Sequence, residues 1–586
     1  MKNSTIRHSV FILTIPLIIL IVSFLLRAAS GPFWLYADPC YIYLFNALYM
    51  IKGHVPIDVS HPGTPVQVLI FIVIWMFNGG QSIAHVVNSI FITPELYLNT
   101  VWVILAVSSF LTSILLGAYV YRKTNDGIAV VLVQLPGLVL LTLPSFNSSY
   151  PMLPIVANVT PEPLFIPIMN LFNLSILRLY FDQNHQKCFK NILLLSFFCG
   201  LGLATKLNFL PVFLGALIIV PWRNKFLFIL ICILSFIFWT IPIIQKYPMI
   251  WDFIKMMVLH TSRYGRGSET IIDWQSYLQY FKYMIHDYWF FIFSTLGLFL
   301  LSFSLLVKDR SNREVKFLGA VTLGLLLQFV VTAKHFSYHY LVPGFGLFGL
   351  VLLLFYFYLH QKAQCRNLKL LTIVFIGLFM AKCIFQTVAY GQRLSVWTKD
   401  IISLKIKIHS NYPNCTILPT WTSDTHIYLS QEHALYIANG TILYSESEDL
   451  SRLYPNFYYF YSEEIGPSPN QQSYGIWDFK KRVYGDELLT SCPCSIFIRY
   501  GGDFSRDPYQ VRLLDKSKYL SAYLFTGSTE KEANNLFLAA QNSISKGEYN
   551  QGFALALRSR QLNYQPRGQV EYFLTTIYRY LNGNNH

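Results

Sequence analysis

Ten side chains in this sequence stand out as candidates to move a proton or hold a phosphate. They are Asp38, His61, Glu162, Lys206, His260, Arg263, Arg266, Lys334, His335 and His339. Asp38 opens the stretch ADPCYIYLFNALYMIKG. A carboxylate in such apolar surroundings is costly unless it is solvated, paired or used. It suits a general base that takes a proton from an acceptor hydroxyl. It equally suits a helix N-cap followed by proline at the first helical position. Glu162, in NVTPEPLFIPIMNLF, has the same two readings: a second acid, or a carboxylate favoured by a helix N-terminus.

The basic candidates point to an anion. His61 lies in SHPGTPVQ, where two prolines and a glycine fix the backbone; it suits a phosphate or metal contact, or simply the start of an interface helix. Lys206 is the lone charge of the apolar stretch 191–222, and either contacts a phosphate or snorkels to the surface. LHTSRYGRGSE brings His260, Arg263 and Arg266 among glycines, and guanidinium forks match phosphate geometry. AKHFSYHYLVPG supplies Lys334, His335 and His339; the two histidines are four apart, so one helical face would present both, leaving room for a divalent metal.

The elements that must position these groups are membrane spans. The chain is 54% hydrophobic and 13% charged, with mean hydropathy +0.41, against about 25% charged in an ordinary soluble domain. Apolar runs of spanning length fall near 10–27, 98–121, 127–143, 160–181, 190–204, 207–221, 224–245, 287–307, 315–333, 339–359 and 368–388. The expected fold is therefore a polytopic α-helical membrane protein of about 11 transmembrane helices. The run 65–78 is short and reads as an interface helix. The runs 190–204 and 207–221 flank Thr205-Lys206 and read as a tight hairpin.

Net charge is +15. Residues 1–388 hold 26 Lys and Arg against 12 Asp and Glu, and residues 389–586 hold 19 against 18. The excess sits in short loops between spans, so it is a topology signal rather than a nucleic-acid footprint. With the N-terminus cytoplasmic, 16 basic residues and four acids fall inside, among them Lys2, Arg122, Lys123, Arg178, Arg313 and Lys369. Counting 65–78 as a span would put most of these basic residues outside. Asp38, His61, Glu162, Lys206, Arg263, Arg266, Lys334, His335 and His339 then lie at the outer boundary, and the C-terminus is outside.

Three domains are expected: a transmembrane catalytic domain over 1–388, an extracytoplasmic α/β domain over 389–530, and a tetratricopeptide-like helical hairpin over 531–586. The strand-like runs are CTILPTW, HALYIANGTILY and CSIFIRY. The hairpin rests on Gly547, Tyr549, Phe553, Ala554 and Pro566. Nine cysteines include no C-x-x-C pair. Cys492 and Cys494 flank one proline and are poorly placed to bridge each other; either can meet Cys415.

A patch of acids and bases between a bilayer and an outer domain suits a substrate with an anionic head and a lipid tail. The order of ADPCYIYLFNALYMIKGHVP, HPGTPVQVL, TPEPLFI, GLGLATKLNFLP and HYLVPGFGLF resembles the GT-C class of integral-membrane glycosyltransferases. The branch it approaches holds the protein O-mannosyltransferases and the lipid A aminoarabinose transferases. The resemblance covers about 10–390. It implies inverting transfer of a sugar, hexosyl or pentosyl, from a polyprenyl-phosphate donor to a lipid, glycan or protein acceptor. It implies a bacterial inner-membrane location and a product in the cell-envelope glycan. By it, Asp38 matches the acid that activates the acceptor and Glu162 a second acid at the cavity. The chain has Asp38-Pro39 where the class often has Asp-Glu, and His61-Pro62-Gly63 where it often has a Lys-Pro-Pro-like element. A transporter or lipid flippase is the alternative; it calls for charges near the bilayer midplane and internal repeats.

Overall fold

The computed structural model describes residues 2–56, 63–138, 153–182, 185–260, 269–308, 313–362 and 366–419. Beyond these it describes 452, 459–461, 475–477, 482–483, 488–490, 492, 494–500, 509–516, 520–528, 530–561 and 573–578. The chain forms two compact units: Met1–Gly31 with Ile42–Leu394, and Pro32–Tyr41 with Ser395–His586.

The helices are α1 (Lys2–Ser30), α2 (Ala37–Ile51), α3 (Thr64–Asn78), α4 (Ile83–Ile92), α5 (Pro94–Thr124) and α6 (Gly127–Gln134). They continue with α7 (Pro161–Phe181), α8 (His185–Thr205), α9 (Leu210–Ile219), α10 (Lys225–Thr240), α11 (Tyr247–Leu259) and α12 (Trp274–Lys308). Then come α13 (Arg313–Lys334), α14 (Val342–Lys362) and α15 (Arg366–Asn411). Among the described residues eight helices are long and apolar enough to cross a membrane, or up to ten if two bent pairs each count once. Gly127–Leu138 and Leu207–Ile219 are shorter apolar helices among the described residues, and the rest of the run 127–143 lies outside them.

Contacts at helix ends set the directions in the first unit. α5 and α7 are parallel: Trp102 donates its indole N–H to Val156, just before α7, at 2.9 Å, and Lys123 pairs with Asp182, just after it, at 2.6 Å. α1 runs the other way, since Arg27, near its C-terminus, donates to the Ala157 carbonyl at 3.0 Å. α14 starts beside the η turn Tyr338–Leu341, and its Phe357 stacks on Tyr180 near the far end of α7 at 6.2 Å.

α3 does not run along the bundle. Gly63, its N-cap, donates its N–H to Thr205 at 3.2 Å. At its other end Asn78 donates to the Tyr97 hydroxyl at 2.9 Å, one turn into α5. Both contacts lie at the Glu162 end of the bundle. A bend of 108° then leads into α4. Trp75, Met76 and Phe77 stay exposed, as on a helix that lies in an interface.

Outward faces are apolar where lipid would lie: α10 exposes Phe226, Ile233 and Phe238. Inward, backbones approach closely. A Cβ at Gly215 of α9 would meet the Ala320 carbonyl of α13 at 2.9 Å, so only glycine allows this crossing.

The second unit contains a four-stranded sheet in the order β1-β5-β7-β6, where β1 is Thr416–Pro419, β5 Ser495–Tyr500, β6 Tyr509–Lys516 and β7 Leu520–Ser528. β1 pairs with β5 in parallel and β7 runs antiparallel to β5 and β6. A second sheet joins β2 (Tyr459–Tyr461), β3 (Gly475–Trp477) and β4 (Arg482–Val483). Leu418, Leu488, Phe497 and Phe525 form the core of the larger sheet. Cys415 and Cys494 are joined by a disulfide beside the β1–β5 ladder. The run HALYIANGTILY and Pro566 lie outside the described residues. α16 (Glu530–Ser545) and α17 (Tyr549–Gln561) form the expected hairpin around Phe537, Ala540 and Ala556.

Candidate active site

α7 begins cleanly. Thr160 is extended, Pro161 occupies the first helical position, and Glu162 falls in the first turn. Proline is pre-shaped for that position, and a carboxylate there meets the positive end of the helix dipole. Lys206 is placed by the hairpin between α8 and α9. Its backbone is extended, its N–H donates to Gly202 at 3.0 Å, and its carbonyl accepts from Phe209 at 3.1 Å. The Phe209 ring stacks on Phe165 and meets Phe172 edge-on, both at 5.8 Å, which fastens the hairpin turn to α7.

The result is an ion pair. Lys206 Nζ lies 2.6 Å from Glu162 Oε1, and the two residues are 4% and 5% exposed. So Lys206 does not snorkel to the surface, and it has the acidic partner that its neighbouring sequence lacks. The same ammonium lies 4.8 Å from the centroid of the Tyr340 ring, in cation–π contact. Tyr340 is itself fixed: its carbonyl accepts Gln328 Nε2 at 2.7 Å and Asn208 Nδ2 at 3.1 Å. Half-buried His339 lies within electrostatic reach of Glu162, with Nδ1 2.8 Å from the Ser337 hydroxyl. Gly63, through its N–H to Thr205, brings the start of α3 to this turn.

Four segments far apart in sequence therefore meet at one end of the bundle, around residues 63, 162, 206 and 340. A buried pair of this kind carries no net charge but presents a directed dipole. An arriving anion can draw on an ammonium already stripped of water.

Other candidates fall elsewhere. Asp38 lies in the first turn of α2, which starts at Ala37 directly after an η turn, so it is not the N-cap. Its segment belongs to the second unit. His61, Arg263 and Arg266 lie outside the described residues. His260 ends α11 and bridges to Glu269 through the backbone. Lys334 donates to the Val258 carbonyl, and His335 Nε2 lies 2.7 Å from the Met257 carbonyl, so both side chains fasten α13 to α11. The shared helical face expected for His335 and His339 is corrected: α13 ends at Lys334, and His339 sits in a separate η turn. Among the described residues no three His, Cys, Asp or Glu side chains form a group that could hold a metal.

Tyr340, Gln328 and Asn208 complete the site and were not anticipated. The available signal was an amide inside an apolar run, Gln328 in GLLLQFVVT.

No family model and no curated protein matches the sequence. Among solved structures the chain is similar to ArnT from Cupriavidus metallidurans bound to undecaprenyl phosphate, with 13% identity and TM-score 0.43. It is also similar to the apo state of the same protein, with 10% identity and TM-score 0.45. Each comparison covers 88% of this chain and 97% of the other.

Proposed function

We propose that the chain is a membrane glycosyltransferase that moves a sugar from a polyprenyl-phosphate donor to an acceptor on the outer face of the membrane, with inversion. The observation that carries this reading is the convergence of the Gly63, Glu162, Lys206 and Tyr340 segments into one buried charged site at a bundle end. A donor with a long apolar tail and an anionic head needs its reacting atoms at such a boundary.

In the proposed reaction the acceptor oxygen attacks the anomeric carbon, and the bond from that carbon to the phosphate oxygen breaks. Asp38 takes the acceptor proton, a role typically worth about 10²–10⁴-fold. Lys206, aimed by Glu162 and Tyr340, receives the departing phosphate; a preorganised donor of this kind is worth roughly 10²–10³-fold. His61, His260, Arg263 and Arg266 are further proposed contacts for the donor phosphate. His339 borders the same pair. Lys334 and His335, which fasten α11, are also proposed to contact the donor. Glu162 acts by keeping Lys206 in place between turnovers.

The outward position of the tail is part of the proposal. A structural disulfide, Cys415–Cys494, fits an oxidising compartment, and the basic residues of the other bundle end fit the cytoplasmic side.

The test is Asp38→Asn, with protein amount checked and cell-surface glycans compared by mass spectrometry against the wild type and a strain lacking the gene. Loss of one glycan species in the variant and the deletion alike supports the reading. A glycan profile unchanged by deletion would overturn it.

A further inference from the structure

Toward the end of the bundle away from Glu162 and Lys206 lies a partly open cavity of about 470 Å³. Leu132, Phe293, Leu301, Phe348, Leu352 and Phe375 form its apolar wall. Its place along the bundle follows from α14. Tyr340 stands at the Glu162 end, and Tyr356 and Leu359 line the cavity. At 1.5 Å per residue the cavity's α14 wall begins at Phe348, about 12 Å from the Tyr340 level, and reaches Leu359, about 28 Å from it; none of Glu162, Lys206 and Tyr340 lines it.

Charge gathers where the cavity helices end. α12 runs past the cavity to Lys308, and α14 ends at Lys362. α15 starts at Arg366, and its exposed Lys369 lies one turn before Thr372, which lines the cavity. The acid bonded to the lining residue Tyr356 is already engaged. Asp126 Oδ1 accepts the Ile128 N–H at 2.9 Å, and Oδ2 accepts the hydroxyl of Tyr356 at 2.7 Å. The mouth thus sets the exposed Lys369 beside an apolar slot.

We infer that this cavity holds one acyl chain of an anionic glycerophospholipid, with the lipid phosphate held at Lys369. Apolar surface favours the chain; a lysine at the mouth favours an anionic over a zwitterionic headgroup. Under the proposed topology this lipid belongs to the cytoplasmic leaflet, an assignment that rests on that reading; binding itself does not require transfer activity.

Gly297 lines the cavity, and a Cβ there would have no atom within 4 Å. Gly297→Leu therefore starts its side chain in open space and extends it into the slot. Purified full-length protein would be examined by native mass spectrometry and by thermal melts with added phosphatidylglycerol, phosphatidylcholine or polyprenyl phosphate. The wild type should retain an anionic phospholipid, and phosphatidylglycerol should raise its melting temperature more than phosphatidylcholine does. Gly297→Leu and Lys369→Glu should each cut retention at least tenfold. Leu300→Phe, on an outward position 56% exposed, should leave retention unchanged. Equal effects of the two phospholipids, or full retention by Gly297→Leu, would overturn the inference. Displacement of the retained lipid by polyprenyl phosphate would also overturn it, by giving the cavity to the donor. None of these readouts measures sugar transfer, so their failure leaves the proposed reaction untouched.

Discussion

The Lys206 ammonium sits 2.6 Å from the Glu162 carboxylate, with both side chains withdrawn from solvent. Removing one partner leaves the other charge buried and uncompensated, which typically costs about 3–5 kcal/mol. Lys206→Met and Glu162→Gln should each lower the melting temperature of purified protein and the amount recovered from membranes. The double variant should recover most of the stability while transfer stays lost. Single variants that melt like the wild type would contradict the pairing.

Gly63 has φ 56°, in the left-handed region. A side chain there costs roughly 1–2 kcal/mol. Gly63→Ala should therefore loosen the contact with Thr205 and reduce transfer. Gly63→Asn should be milder, because asparagine tolerates this conformation better. Melting temperature and donor dependence, measured on both variants, check the order.

The sequence made the parts of this site legible but not their partnership. Lys206 stood out as a lone cation in an apolar run, and Glu162 as an acid at a proline-led helix start. Their pairing spans 44 positions, and no periodicity reports a contact of that range. Tyr340 was hidden for another reason: an aromatic in an aromatic-rich membrane chain carries no contrast. His335 and His339 were given one helical face because they are four apart; the helix stops at Lys334, and spacing alone does not show the stop. The tail was legible as short strands, yet the parallel β1–β5 pairing joins Thr416 to Ser495, again beyond local pattern.

Asp38 is expected to act as a base. Asparagine and serine preserve a short polar side chain at a helix start, but neither accepts a proton near neutral pH. Asp38→Asn and Asp38→Ser should insert and accumulate normally and lose most transfer, and Asp38→Glu should retain some. Near-normal turnover by Asp38→Asn would remove this residue from the mechanism.

Topology is checked by labelling single cysteines introduced on a background without the other free thiols. Lys123→Cys should react only from the cytoplasmic side. Gln81→Cys, in the bend between α3 and α4, should react from the outside, because α3 begins and ends at the Glu162 end. Reaction of both from one side would break the arrangement.

In the second unit Lys407 Nζ lies 2.6 Å from Asp515 Oδ2. The Lys407 hydrogen bond and the Lys516 backbone N–H hold the Asp515 carboxyl below its ordinary range. A depressed carboxylate contributes stability above its unfolded value, about 3.9, and loses it as pH falls through the folded value. Lys407 is exposed and Asp515 only half-buried, so solvent screening should keep the effect small. Comparing Asp515→Asn with wild type, protection of the β6 amides should differ at pH 7 and converge in acid. A difference that persists unchanged at low pH would point away from the charge.

Because α3 is fastened by Gly63 at one end and by Asn78 at the other, with Trp75, Met76 and Phe77 facing outward, it behaves as a float moored to the Lys206 turn. Hydrophobic mismatch is relieved by tilting or by local thinning. A thicker or thinner bilayer would shift the level of the float and pull on its mooring at Thr205. Under the proposed function, the transfer rate is then expected to vary with bilayer thickness, through the same hairpin that holds the charge.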